Sequence, residues 1–209
     1  MNKSKTRLLA ESGLMIALAS ILSLIKIFAL PYGGSVTLCS MLPILLISYR
    51  NGVKWGLFTG FTYSILQLIL DIPGGLFRGI SLGMVAGTIL FDYIIAFTAL
   101  GLSGIFRNKI KNAQLSILCG AVLSMLIRYL AHAASGFIFF SEYAEWFFGQ
   151  EGFTLGNRIL ECFSGNTLFI IYTFFYNGTY MIPEIIITSI VCVLIASLFT
   201  LTSKKIAAK

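Results

Sequence analysis

Charge is scarce in this chain. Only 11% of its 209 residues are charged, against about 25% in a typical soluble domain, while 57% are apolar and the mean hydropathy is +0.91. Histidine occurs once and proline four times. One histidine is too few for a histidine-rich metal centre. The sequence has no GxxxxGK[ST] phosphate loop, no HExxH and no GxSxG, which removes the commonest routes to ATP hydrolysis, zinc proteolysis and serine hydrolysis. The four cysteines (Cys39, Cys119, Cys162, Cys192) form no CxxC pair, and three fall inside apolar runs, where cysteine is a small hydrophobe.

What is present is a series of long apolar runs. A soluble fold of this size could not bury so much apolar surface, and a membrane barrel would show short alternating strands instead. The expected class is an all-α integral membrane protein, a single bundle of six transmembrane helices over residues 1–209. The spans are placed at about 8–30, 36–49, 53–70, 80–106, 113–140 and 167–201, with an outer loop at 141–166. Six spans use roughly 120 residues and leave no room for a separate soluble domain. The first run is too long for a cleaved signal peptide and precedes no A-x-A-like site.

Basic residues set the orientation. Lys3, Lys5, Arg7, Arg50, Lys54, Arg107, Lys109, Lys111, Lys204, Lys205 and Lys209 are eleven of fifteen and fall on one side of a six-span chain. The other side carries Asp71, Glu142, Glu145, Glu151 and Glu161 against only Arg78 and Arg158. The positive-inside rule then places both termini of the multi-pass chain in the cytoplasm. The net charge of +7 is mostly this bias and calls for no nucleic-acid partner.

Ionisable groups at membrane depth are costly and mark function. Asp92 lies about twelve residues into the fourth span, roughly 18 Å along its axis. It is either a structural carboxylate paired with Arg128 or an unpaired counter-ion for a cationic or amino-bearing ligand; we favour the second. Arg128 and His132 are one turn apart on the fifth span and share a face. Small residues around His132 leave space beside its ring, which favours ligand contact, whereas Arg128 is expected to pair structurally. Tyr172 and Asn177 bring a phenol and an amide into the sixth span, and a buried amide needs partners. Asp92, His132, Tyr172 and Asn177 all fall in the outer half of their spans, the arrangement of an outward-opening pocket. Glu11 reaches the interface, Lys26 can snorkel, and Glu184 after Pro183 is expected at a kink or as an interhelical partner. On the first span, Gly13, Ala17 and Ser20 recur at about one helical turn, a spacing that lets a neighbouring helix approach closely.

Several stretches carry a family likeness. They are Arg7-Leu8-Leu9-Ala10-Glu11, Pro31-Tyr32-Gly33-Gly34-Ser35-Val36, Ser48-Tyr49-Arg50-Asn51-Gly52-Val53-Lys54, Asp92-Tyr93-Ile94-Ile95-Ala96-Phe97, Arg128-Tyr129 to His132, and Tyr176-Asn177-Gly178-Thr179-Tyr180. In order and spacing the chain resembles the thiamine-specific substrate-binding (S) components of energy-coupling-factor transporters, the ThiT/YuaJ-type family. The resemblance implies a six-helix, non-enzymatic, high-affinity thiamine binder without a cofactor. It would be loaded from outside and coupled to a transmembrane subunit and two cytoplasmic ATPases. It implies a site at Asp92, Tyr93, His132, Phe140, Tyr172, Asn177 and Gly34, and a docking face for the coupling subunit at Gly13 and Ala17. The stretch 141–166 is longer than usual and aromatic, and Trp146 or Tyr143 stands available in place of tryptophans found in some relatives. The alternatives are a binder of another vitamin, riboflavin or pyridoxine-like, and a stand-alone secondary transporter. The chain shows no internal repeat to favour the transporter.

Overall fold

The computed structural model describes residues 4–30 and 33–207, with side chains through 198. Lys3, Pro31, Tyr32 and Lys209, used above for orientation and likeness, lie outside the described residues, and the side chains of Lys204 and Lys205 lie beyond the described ones. The chain is a helical bundle with one small hairpin. Helix α1 is Lys5–Leu24, followed by strands β1 (Lys26–Ala29) and β2 (Ser35–Thr37), then α2 (Leu42–Asn51) and α3 (Val53–Asp71). Helix α4 is the span Leu82–Phe106. It is followed by α5 (Ala113–Phe139), α6 (Ala144–Phe148), α7 (Thr154–Cys162) and α8 (Gly165–Ala207).

The helices begin where the chain supplies caps. Ser4, Ser81 and Asn112 each accept a bond from the backbone N–H three residues on, at 3.3, 3.3 and 2.9 Å, which satisfies a donor that the first helical turn leaves free. Five helices are long and apolar enough to cross a bilayer. The sixth, α2, has ten residues, or about 15 Å, half of a hydrocarbon core of about 30 Å. It is sealed inside the bundle, with Ile44, Leu45 and Ile47 fully buried.

Two span edges differ from expectation. The first span was expected to reach 30, but α1 stops at Leu24 and residues 26–29 turn back to pair antiparallel with β2, which takes the start of the expected second span. Ile27 and Phe28 prolong the apolar run, so its length alone cannot separate the helix from the hairpin that follows. The expected outer loop at 141–166 contains two short helices, α6 and α7. They rest on the start of α8 through Phe147, Phe148, Phe153 and Tyr172. Helix α8 continues through Pro183 unbroken.

Close helix approach is built from small residues, as expected where lipid removes the hydrophobic drive between helices. Ser48 Oγ donates to Gly101 O (2.5 Å), Ser103 Oγ to Leu45 O (2.6 Å), and Gly104 N to Ser48 Oγ (3.0 Å), joining α2 to α4. A side chain at Gly101 or Gly120 would collide with the neighbouring backbone. By contrast α1 is thinly attached. Ser12 bonds Trp55 Nε1 at 2.7 Å, Glu11 pairs with Arg50 at 2.7 Å, and Gly13, Leu14, Ala17 and Leu18 remain exposed.

Helix α4 is not uniform. Its segment Thr88–Ile95 is π-helical, with 3-10 geometry following over Ala99–Phe106. A π turn inserts an extra residue per turn and is frequent at functional sites. Here it carries Asp92 and Tyr93.

Candidate functional site

The hairpin end of the bundle encloses a cavity of about 630 Å³. Asp92, Tyr93, His132, Phe140, Tyr172, Asn177, Gly34 and Trp146 all line it. The volume and the mixture of aromatic walls with a few polar groups suit a small organic ligand. Gly13 and Ala17 lie away from it, on the exposed face of α1.

Asp92 is held at both oxygens. Its Oδ1 lies 2.7 Å from His132 Nδ1, and its Oδ2 accepts from Ser135 Oγ at 2.6 Å. Arg128 Nε donates to His132 Nε2 at 3.2 Å. A guanidinium can only donate, so Nε2 carries the lone pair and Nδ1–H points at Asp92. The result is a relay from Arg128 through His132 to Asp92. Asp92 is therefore not paired directly with Arg128 as the structural reading expected, and it is not without partners, since His132 and Ser135 hold its two oxygens. Arg128 also lies over the Phe97 ring, 4.2 Å from its centroid.

Helix α8 supplies a second layer. Asn177 Nδ2 donates to Thr173 O at 2.8 Å and to His132 O at 3.4 Å, while its Oδ1 accepts from Tyr180 Oη at 2.5 Å. The amide found its partners one turn away, and Tyr180 sets the edge of its ring against His132 at 5.9 Å. Tyr172, Tyr176 and Tyr180 recur every four residues and form an aromatic ladder, with centroids 5.8 and 6.5 Å apart. Among the described residues no group hydrogen-bonds the Tyr172 hydroxyl.

The hairpin closes one side. Gly33 and Gly34 have φ of +101° and +86°, a region open to glycine at little cost. Gly34 also sits against the Tyr180 ring, so close that a Cβ would lie 2.5 Å from its carbons. Tyr176 Oη donates to Gly33 O at 2.8 Å. Glu184, 1% exposed, fastens β2 by accepting from Thr37 N and Thr37 Oγ1, both at 2.8 Å. It was expected at a kink or between helices and instead ties a strand to α8. On another side Tyr143 and Trp146 from the segment after α5 face the same space, with Phe140 and Tyr143 rings 6.4 Å apart.

Asp71, Gln67 and Tyr63 are among the lining residues that were not singled out from sequence. Asp71, at the end of α3, accepts from Tyr93 Oη (2.9 Å) and Gln67 Nε2 (3.0 Å) at one oxygen. Tyr63 lines the floor. The i, i+4 spacing of Gln67 and Asp71 was the available signal; Asp71 was instead counted with the loop that follows it. Among the described residues, no three His, Cys, Asp or Glu side chains converge to hold a metal.

The chain is similar to known proteins in sequence and in fold. Residues 9–151 match the family described as Thiamine transporter protein (Thia_YuaJ). The thiamine transporter ThiT of Bacillus subtilis is 34% identical over 207 residues, covering 93% of each chain. ThiT of Lacticaseibacillus paracasei is 28% identical over 115 residues, covering 50% of this chain and 54% of its own. A solved structure of ThiT from Listeria monocytogenes superposes with a TM-score of 0.66 over 94% of this chain and 96% of that one, at 20% identity, a likeness of fold. By the family match, and by identity carried across nearly its whole length, the chain belongs to the thiamine transporter family.

Proposed function

We propose that this protein is the thiamine-binding subunit of an energy-coupling-factor-type uptake transporter, with both termini in the cytoplasm and the cavity open to the outside. The observation that carries the reading is the cavity of about 630 Å³, in which aromatic walls and the Arg128–His132–Asp92 relay meet. Thiamine joins a permanently cationic thiazolium to an aminopyrimidine. Aromatic faces attract such a cation by about 0.5–2 kcal/mol per contact, and Phe140, Tyr172, Tyr176 and Trp146 offer them. A carboxylate has about four lone-pair sites, and the protein occupies one on each Asp92 oxygen, so the ligand's amino group has acceptors left. The Tyr172 hydroxyl and the remaining lone pair of Asn177 Oδ1 complete the polar edge.

Transport needs an energy source, and the sequence has no phosphate loop. ATP hydrolysis is assigned to two partner ATPases joined through a transmembrane subunit. The exposed Gly13 and Ala17 on thinly attached α1 support a docking face there. Ala17→Trp is expected to cut thiamine uptake by cells by on the order of tenfold or more, by filling the seam, while binding by the purified protein stays unchanged. Normal uptake by this variant removes the docking face.

The first test is titration of the detergent-purified protein with thiamine, followed by intrinsic fluorescence, with riboflavin as competitor. Saturable thiamine binding that riboflavin does not displace is expected without any ATPase present. No binding by a folded sample, or displacement by riboflavin, overturns the thiamine assignment.

A further inference from the structure

The cavity holds two carboxylates, and they differ in how their charge is met. Asp92 faces Arg128 through His132, so its relay is balanced within the protein. Asp71 makes no ion pair among the described residues. Its Oδ2 accepts from two neutral donors, Tyr93 Oη and Gln67 Nε2, and its Oδ1 takes no hydrogen bond among the described residues. Among the described residues three cations line the cavity: Arg128 is bonded to His132 through Nε, with its Nη1 buried and without a hydrogen-bond partner, while Arg78 and Lys26 are exposed, where solvent and salt weaken their pull.

The neighbours of Asp71 are short of donors. Gln67 is 7% exposed and lines the cavity, and its Oε1 is buried without a partner. Tyr93 spends its proton on Asp71 and keeps only lone pairs for a ligand. Asp71 Oδ1, Gln67 Oε1 and the Tyr93 oxygen therefore form a cluster of acceptors around one carboxylate that has no ion pair among the described residues. Within it Gln67 Oε1 is buried without a hydrogen-bond partner, a cost that a cation or donor entering the cavity would relieve.

We infer that Asp71, rather than Asp92, is the counter-ion for the positive charge of the bound ligand. The inference rests on the thiamine reading above. It divides the work between two carboxylates. Asp92, already neutralised, receives the hydrogen-bonding heterocycle, and Asp71 selects for the permanent cation.

The experiment compares two ligands of the same shape: thiamine, and an analogue in which a neutral thiophene replaces the thiazolium. Wild type is expected to favour thiamine. Asp71→Asn keeps an acceptor for the Tyr93 hydroxyl but removes the charge. It is expected to weaken thiamine binding by on the order of tenfold to a hundredfold while leaving the neutral analogue within about threefold, a difference that adds well under 1 kcal/mol. Asp71→Glu, which retains the charge, is expected to retain the preference. Gln67→Lys gives a second route that leaves Asp71 in place, because the introduced ammonium neutralises it from the position of its present partner; the preference should vanish there too. If Asp71→Asn weakens both ligands equally, Asp71 merely positions Tyr93 and the inference falls. It falls equally if neither ligand is affected. Failure of wild type to bind thiamine at all is a separate result, and it overturns the proposed function itself.

Discussion

Asp92→Asn is expected to weaken thiamine binding by about 100-fold without unfolding the protein. Asparagine matches the shape of aspartate, and the Ser135 hydroxyl can turn to accept from the new amide, so the hydrogen bonds to His132 and Ser135 have substitutes. The charge has none. Arg128 then faces the cavity through His132 with no anion behind the ring, and a cationic ligand meets net repulsion. Removing one member of a buried charged network commonly costs about 2–5 kcal/mol, much of it from the charge left behind. Titration of the purified variant measures the loss, and a melting curve in detergent separates it from unfolding. Unchanged affinity with a lowered melting temperature would make Asp92 a scaffold residue and move recognition to the α8 ladder.

Gly34→Val is the second large effect, and it acts through the hairpin. The residue has φ of +86°, where a β-branched side chain is strained by roughly 1–3 kcal/mol. The new Cβ would also lie 2.5 Å from Tyr180 ring carbons. Tyr180 cannot yield cheaply, because its hydroxyl is committed to Asn177 and its edge to His132. The hairpin must lift instead, taking Gly33 away from Tyr176. Affinity is expected to fall by on the order of tenfold or more. Gly33→Ala is the control. Its φ is also positive, at +101°, but its Cβ meets nothing within 4 Å, so only the backbone cost applies and the loss should be much smaller. Equal affinities for Gly34→Val and wild type would show that the hairpin does not shape the site.

Much of the lining of the candidate site was legible because membrane depth makes polar residues conspicuous. Asp92, His132 and Asn177 stand out against apolar neighbours, and helical spacing alone puts Arg128 beside His132. The rest was hidden for identifiable reasons. Asp71 precedes Ile72-Pro73-Gly74-Gly75, so its context resembles that of a solvated loop acid, although it faces the cavity from the last residue of α3. The hairpin was hidden because Ile27 and Phe28 extend the apolar run, and a four-residue strand has too few residues to establish a period. The bonding between Asp92 and its partners was misjudged because spacing along one helix says nothing about contacts between helices. The small helices α6 and α7 were obscured because Gly149 and Gly152 interrupt the pattern every few residues.

The wide turn at Thr88–Ile95 makes the fourth span a device with two phases. The π turn winds the chain by less per residue than an α-helix and the 3-10 stretch at Ala99–Phe106 by more, so the two segments together set which face residues 101–104 present. The serine and glycines at 101–104 must meet α2 while Asp92 and Tyr93 meet the cavity. A uniform α-helix advances about 100° per residue, so deleting one residue anywhere within the turn would force a choice between seating the anchor and aiming the carboxylate. Substitution can tune this span, but its length is fixed to the residue.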